Sequence, residues 1–433
     1  MYCGWKSSES IDEKIKMNVL FISLGDFNSL EERHIYIDLL REFRKHGHMI
    51  YVLSPVERRK KEKNRVIRED NCIILKLKIG NIQKTNVIEK GISTIAIAPQ
   101  LILGIKKYFS DARFDLVLYP TPPITLVSAV EYVKKRDGAR TYLLLKDIFP
   151  QNAVDIGLMS KTGIKAPLYQ YFRNKEKRLF QISDTIGCMS PANVKYVLKH
   201  NPEVRKRHKA SIKRMRKSIV EVCPNSIEVI DKSVDEEMKK QIRSKYGIPI
   251  DKTVFVYGGN LGKPQGIAFL IECLRTCSDI RDVYFLIVGD GTEYSLLESF
   301  VETEKPRNVK LMKRLLKEDY DTMVGACDVG MIFLDHSFTI PNFPSRLLSY
   351  MQAKIPVLAC TDRNTDIGEV ITKGGFGWWC ESNDVLCFAM IVKGVKLANI
   401  KELGDIGFRY LRTNYSVQYS YKIIMSNGDL AYE

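Results

Sequence analysis

Short apolar runs alternate with amphipathic stretches along the whole chain, and the alternation occurs twice. In the first half, strands are expected at NVLFIS (18–23), MIYVLS (49–54), IILKL (73–77), LVLY (116–119), YLLL (142–145) and TIGCM (185–189). Between the first two, Leu30 to His46 puts Ile35, Leu39, Leu40 and Phe43 on one helical face, and Gly47 ends that helix. The second half offers strands at TVFVYG (253–258), VYFLIVG (283–289), VKLM (309–312), VGMIFL (329–334) and VLAC (357–360). Helices are expected near 265–277, 292–303, 317–326 and 345–353. Buried strands with intervening helices imply βαβ units and parallel sheets covered on both faces. The expected fold class is therefore α/β, in two doubly wound halves. A chain of 433 residues also exceeds what one core usually holds. The expected division is an extension at 1–16, a first domain at 17–225, a second at 226–405, and a C-terminal segment at 406–433. The linker is placed near Pro224–Asp231, and the last helical stretch, about 400–425, is expected to cross back to the first domain.

Several function classes fall away on composition. The longest weakly polar run, Gly91 to Gly104, contains Pro99 and is too short to span a bilayer, so no transmembrane helix is expected. The first residues lack the apolar centre of a secretory signal. Ten cysteines occur without a CxxC pair, which fits reduced thiols in a cytoplasm better than a disulfide framework or a zinc site. Charge is more informative. Residues 1–230 hold 42 Lys and Arg against 24 Asp and Glu, whereas residues 231–433 hold 25 against 27. The excess sits mainly in ERRKKEKNR (57–65) and RKRHKASIKRMRK (205–217), the second with no acidic residue. Neither run interleaves aromatics, and no nucleic-acid motif is present, so nucleic acid is not an expected partner. An anionic membrane surface is, with Ile212 and Met215 as a shallow apolar foothold.

Ligands of doubly wound sheets sit beyond the carboxyl ends of strands, where helix N-termini offer N–H groups to anions. Four strand-to-helix loops there carry chemistry. In TVFVYGGNLGKPQGIAFL, Gly258, Gly259 and Gly262 let backbone approach an anion closely. Pro264 follows Lys263 where a Walker loop needs Ser or Thr, so this is no P-loop. A second Gly-Asp-Gly loop, Gly289 to Gly291, has the same form. In IPNFPSRLLSYMQAKIPVLA, Ser345 is expected as an N-cap, and Arg346 in the first turn is electrostatically misplaced unless an anion is bound. In LLLKDIFPQNAVDIG, Lys146 and Asp147 follow a buried strand directly. Each has a plainer alternative: a tight turn, a snorkelling arginine, a capping aspartate, or, for His34, a structural histidine.

Together, RHIYIDLLREFRKHGHMIYVLSP, KDIFPQNAVDIGLM, CMSPANV, CPNSIE, YGGNLGKPQGI, VGDGTE and PSRLLSYMQAKIPVLA resemble the retaining glycosyltransferases of family 4. The likeness is nearest to the branch of capsule and O-antigen clusters that includes N-acetyl-L-fucosamine transferases, and runs roughly from Met17 to Tyr415. It implies the GT-B architecture, two Rossmann-like domains with parallel sheets facing across a cleft, no cofactor and no obligatory metal. It implies donor contacts at Gly259, Asn260, Gly262, Lys263, Gly289, Asp290, Arg314, Ser345, Arg346 and Ser349. Asp147 and His34 stand as catalytic candidates, and Asp26, Asn28 and Lys146 as acceptor-side candidates. The sequence departs from the family where a Glu-x7-Glu pair reads Pro341 and Ser349, and where an arginine and a lysine read Asn260 and Gln265. Lys263 and Arg346 are then left to meet the diphosphate.

The expected function is transfer of a sugar from a UDP-sugar to a lipid-diphosphate-linked saccharide, for a bacterial surface polysaccharide. The enzyme would be cytoplasmic and peripheral on the inner face of the membrane. Two alternatives remain open: a UDP-sugar 2-epimerase of the same fold, which needs no acceptor, and a non-enzymatic basic binding protein.

Overall fold

The computed structural model describes residues 16–82, 85–214 and 218–426. The N-terminal extension expected at 1–16 therefore lies almost wholly outside the described residues, as do Met215 to Lys217. The chain divides into two compact units, one comprising 1–32, 40–119 and 128–141, the other 33–39, 120–127 and 142–433.

The first unit is built on β1 (Asn18–Ile22), β2 (Met49–Glu57), β3 (Arg65–Glu69), β4 (Cys72–Ile79) and β5 (Leu116–Pro120), in the order β3-β4-β2-β1-β5. All neighbours are parallel except β3, which returns antiparallel beside β4. Asp26 follows β1 and binds both Lys60 and the fully buried Lys76. Burial opposes ionisation of Asp26, but the two lysines outweigh it and hold its carboxyl below the ordinary range. The helix expected from Leu30 starts only at Ile35, running Ile35–Lys45. Arg41 takes the Leu30 carbonyl instead, and the Leu30 N–H donates to Glu69 Oε2 at 3.1 Å, so the preceding turn bonds to side chains. Gly91 to Gly104 lies within the helix Val87–Tyr108. Among the described residues, no helix is long and apolar enough to cross a membrane.

The second unit holds β6 (Arg140–Leu145, from Tyr142 on), β7 (Thr185–Cys188) and β8 (Val220–Val222), parallel in that order. It also holds a six-stranded parallel sheet of β9 (Thr253–Asn260), β10 (Val283–Asp290), β11 (Val309–Lys313), β12 (Val329–Phe333), β13 (Val357–Thr361) and β14 (Gly377–Glu381). Its order is β11-β10-β9-β12-β13-β14. Period-two alternation sorts its side chains onto two faces. Phe255, Tyr257, Phe285, Ile287, Met331 and Phe333 enter one core, while Val254, Val256, Leu286, Val288 and Ile332 enter another. Both faces are dry, which explains the near-continuous apolar runs.

The helical stretch expected at 400–425 breaks into Ile400–Asn414 and Val417–Ser426. At the break, the Ile227 N–H donates to the Tyr415 carbonyl at 3.0 Å, and the Val417 N–H to the Ile227 carbonyl at 3.2 Å. Backbone at Tyr415 and Val417 is thus spent on a strand-like bridge at Ser416 rather than on a continuous helix.

A buried ion cluster ties the helix Glu236–Tyr246 to the start of β9. Asp328 accepts from Arg243 Nη2 at 2.6 Å, from Lys239 Nζ at 2.7 Å and from the Val254 N–H at 2.7 Å. Arg243, 2% exposed, also donates to the carbonyls of Ala326, Pro249, Ile250 and Lys252. Removing one member leaves the other charge buried, at a cost of about 3–5 kcal/mol. Arg243→Leu should therefore lower unfolding free energy in denaturant titrations by about that amount. A loss below about 1 kcal/mol, the range of surface pairs, would show that the cluster is not structural.

Candidate functional site

Several segments of the second unit line a cavity of about 620 Å³. The first leaves β9 at Gly258 and Gly259. Beside it, β10 ends at Gly289 and Asp290, in register with Gly259 and Asn260. The approach is close: a Cβ on Gly289 would lie 2.1 Å from the Gly259 carbonyl oxygen. Gly259 itself has φ +133°, and a Cβ there would stand 3.2 Å from Arg346 Nη2. Glycine is required at 289 by the approach of the strands and favoured at 259 by the positive φ.

Arg346 opens the short helix Arg346–Gln352. Its guanidinium lies over the Tyr257 ring, 4.4 Å from the centroid. The Tyr257 hydroxyl donates to the Asn260 carbonyl at 2.7 Å. Arg346 Nη1 is buried and has no hydrogen-bond partner. A buried donor on a charged group costs free energy unless something accepts from it, so this arginine is suited to an anion. Ser345 does not cap the helix as expected. Its φ −66° and ψ −14° are already helical, which denies its hydroxyl the extended geometry a cap needs.

The loop after β6 supplies Lys146 and Asp147. The Thr121 hydroxyl pins both, accepting from their N–H groups at 3.1 and 3.3 Å and donating to the Asp147 carbonyl at 3.0 Å. Lys146 turns to the Cys223 carbonyl at 3.3 Å, and burial pulls its ammonium down to about 8. Asp147 Oδ2 accepts from Asn152 Nδ2 at 2.6 Å, while Oδ1 is buried without a partner. Burial pushes the Asp147 carboxyl up to about 6, against the pull of the Ile148 N–H. A carboxyl poised there is a competent proton acceptor near neutral pH.

His34 lies before the helix Ile35–Lys45, exposed and lining the cavity. Its Nδ1 accepts from the Tyr36 N–H at 3.2 Å, so the neutral ring carries its proton on Nε2 and presents a donor. Lys232 and Lys317 also line the cavity, both held by Asp321 at 2.6 and 2.8 Å. Contrary to an expectation that the chain lacks an Asp-x-Asp pair, Asp319 and Asp321 form one, and its carboxylates meet lysines, Asp319 facing Lys245 at 3.7 Å.

Of the residues singled out by sequence, the cavity brings together His34, Lys146, Asp147, Gly259, Ser345, Arg346 and Ser349. Gln265 joins them, its Oε1 accepting from Asn260 Nδ2 at 2.7 Å and from the Gly262 N–H at 3.2 Å. Lys263 is exposed and points past Gly157, and neither it nor Asn260, Gly262, Gly289, Asp290 or Arg314 lines the cavity. Pro341 faces a separate cavity. Asp26 and Asn28 belong to the first unit; Asn28 donates its N–H to Glu32 Oε1 at 2.8 Å. Tyr257, Asn152 and Asn342, whose Nδ2 is buried without a partner, went unnoticed in the sequence. Only the Asn152 spacing, five residues past Asp147 at the start of the helix Gln151–Asp155, offered a signal.

The raised Asp147 carboxyl binds its proton more tightly folded than unfolded. Its contribution to stability is full below about pH 4 and is lost as pH rises through about 6. Asp147→Asn should melt near wild type at pH 4 and above it at pH 7. A melting difference independent of pH would mean that Asp147 ionises normally.

Residues 238–395 match the glycosyl transferases group 1 family. A probable glycosyltransferase, WbjE, of Pseudomonas aeruginosa is 25% identical over 341 residues, 78% of this chain and 80% of that one. A putative colanic acid biosynthesis glycosyl transferase, WcaI, of Escherichia coli is 21% identical over 59% of this chain and 60% of its own. The solved structure of Anabaena HepE in complex with UDP superposes with a TM-score of 0.64 at 14% identity, covering 96% of this chain and 100% of that one. With a glycosyl transferases group 1 match over residues 238–395 and parallel α/β sheets of the GT-B fold, the protein is a glycosyltransferase.

Proposed function

We propose that the protein transfers a sugar from a UDP-sugar to a lipid-diphosphate-linked acceptor in the assembly of a bacterial surface polysaccharide. It acts as a retaining, metal-independent enzyme of family 4, in the branch resembling N-acetyl-L-fucosamine transferases. The observation that carries the proposal is Arg346, a cation with a buried unpartnered Nη1, set against Gly259 in the cavity. A relative named for colanic acid biosynthesis and a structural neighbour solved with UDP support the same reaction class.

The donor falls to residues 226–405 and the acceptor to 17–225, with 406–433 as the C-terminal helical segment crossing back to the first domain. Arg346, the Gly259 backbone, Ser345 and Ser349 meet the diphosphate and ribose, with Lys232 and Lys317 nearby to offset leaving-group charge. Asp147, oriented by Asn152, faces the attacking hydroxyl, and His34 donates from Nε2. Lys146 is the acceptor-side cation.

Membrane docking falls mainly to the helix Pro202–Lys213. Arg205, Lys206, Lys209 and Lys213 are exposed there around Ile212, itself 53% exposed. The 57–65 run is less free, since Arg58 pairs with Glu89 at 2.8 Å, Arg59 with Glu57 at 2.9 Å, and Lys60 with Asp26. Basic residues near an anionic leaflet are worth about 1 kcal/mol each.

Charge-assisted hydrogen bonds contribute about 1.5–3 kcal/mol, so Arg346→Ala should weaken UDP binding in calorimetry by roughly 10- to 150-fold with the fold intact. Unchanged affinity would remove Arg346 from the donor site. Co-sedimentation with anionic liposomes should fall with salt and with Lys206→Glu/Lys209→Glu. Equal pelleting with neutral lipid would rule out electrostatic docking.

A further inference from the structure

A second cavity, about 1060 Å³, lies in the same unit and takes no part in the reaction described above. The two are parted by an extended stretch of chain. Phe338 and Asn342 line the first cavity, and Thr339 and Pro341 line the second. The partition is clamped along its length. Asp155 accepts from the Thr339 N–H at 2.8 Å and from its hydroxyl at 2.9 Å. Asn193 Nδ2 donates to the Pro341 carbonyl at 2.9 Å, and Asn364 Nδ2 to that of Phe338 at 2.6 Å. Thr365 donates to the Asn342 carbonyl. The second cavity is thus a held shape rather than a gap between loose loops.

Its chemistry is of three kinds. Lys195 and Lys199 lie one turn apart on the helix Pro191–His200, both exposed, and Lys373, joined by Lys195, holds the Glu369 carboxyl below its ordinary range. Arg363 and Lys373 pair with Glu381 and Glu369, and the Asp366 carboxylate also lines the cavity, so the helix lysines leave a single positive charge in excess. Trp379 and Tyr410 supply flat apolar faces. Trp379 is fixed by its Nε1–H, which donates to the Thr361 hydroxyl at 2.9 Å, and Tyr410 packs on Phe376 with centroids 5.2 Å apart. Finally, Asp366 and Thr372 line the same cavity as polar partners.

We propose that this cavity binds an anionic saccharide, a sugar carrying a carboxylate or a phosphate, at a site separate from the donor. The lysine pair takes the anion, the rings take the C–H face of the sugar, and the polar side chains take its hydroxyls. A cavity of this size suits one to a few sugar rings, in the range of ordinary small-ligand pockets. A bare anion would use the lysines and leave the rings idle. A neutral sugar would use the rings and leave that charge uncompensated.

The test is calorimetric titration of the full chain with glucuronate, glucose 6-phosphate, inorganic phosphate and glucose, with UDP titrated separately. At least one anionic sugar should bind saturably, about tenfold or more tighter than phosphate or glucose, and glucuronate against glucose 6-phosphate tells which anion is preferred. Lys195→Ala/Lys199→Ala should abolish that preference, Lys195→Arg/Lys199→Arg should restore most of it, and UDP affinity should stay at the wild-type value in both. Saturable binding of neither anionic sugar, or binding that the alanine pair leaves intact, overturns the proposal. Because UDP is measured independently, a failure here is distinct from a failure of the donor site.

Discussion

An arginine laid over a tyrosine ring, at a point where two glycines bring strands and side chain together, organises the cavity at the carboxyl ends of the second unit's strands. A Cβ on Gly259 would crowd the Arg346 guanidinium at 3.2 Å, and β9 and β10 could not close as they do if Gly289 carried one. The Tyr257 face offsets part of the cost of burying the guanidinium, as cation–π contact does for desolvated cations. It does not satisfy Nη1, and that remaining demand suits the cavity to an anion.

The six-stranded sheet makes this placement rigid. Its strands are buried on both faces, so their register is fixed by two cores at once. Loops at the carboxyl ends of β9 and β10 inherit that rigidity. The other side of the cavity is set differently. One threonine hydroxyl, Thr121, fixes the turn of Lys146 and Asp147, so that neighbouring residues go separate ways, the lysine to the Cys223 carbonyl and the aspartate to Asn152. Burial then moves both groups toward neutrality, the lysine downward and the carboxyl upward.

The parallel-sheet fold was legible because doubly buried strands write themselves as apolar runs. The strands that escaped notice lack that signature. β3 is an edge strand reading RVIRE, β8 spans only three residues, and β14 reads GWWCE beside a single neighbour. At the site, Arg346 was legible because a cation in a first helical turn is an electrostatic anomaly. Lys263 looked equivalent in sequence, yet its Nζ lies beside Gly157 and it is Gln265, at the other end of the turn Lys263–Gln265, that lines the cavity. Tyr257 and Asn342 were illegible for a plain reason. Their roles arise from packing between segments distant in sequence, and no local pattern records that.

The central claim is that Arg346 and the Gly259 backbone hold a nucleotide diphosphate. The most direct measurement is a crystal structure of the protein with UDP. The diphosphate should lie within hydrogen-bond distance of the Arg346 guanidinium and the Gly259 N–H, with Arg346 still stacked on Tyr257. UDP bound elsewhere, with Arg346 Nη1 unpartnered as it is here, would contradict the account.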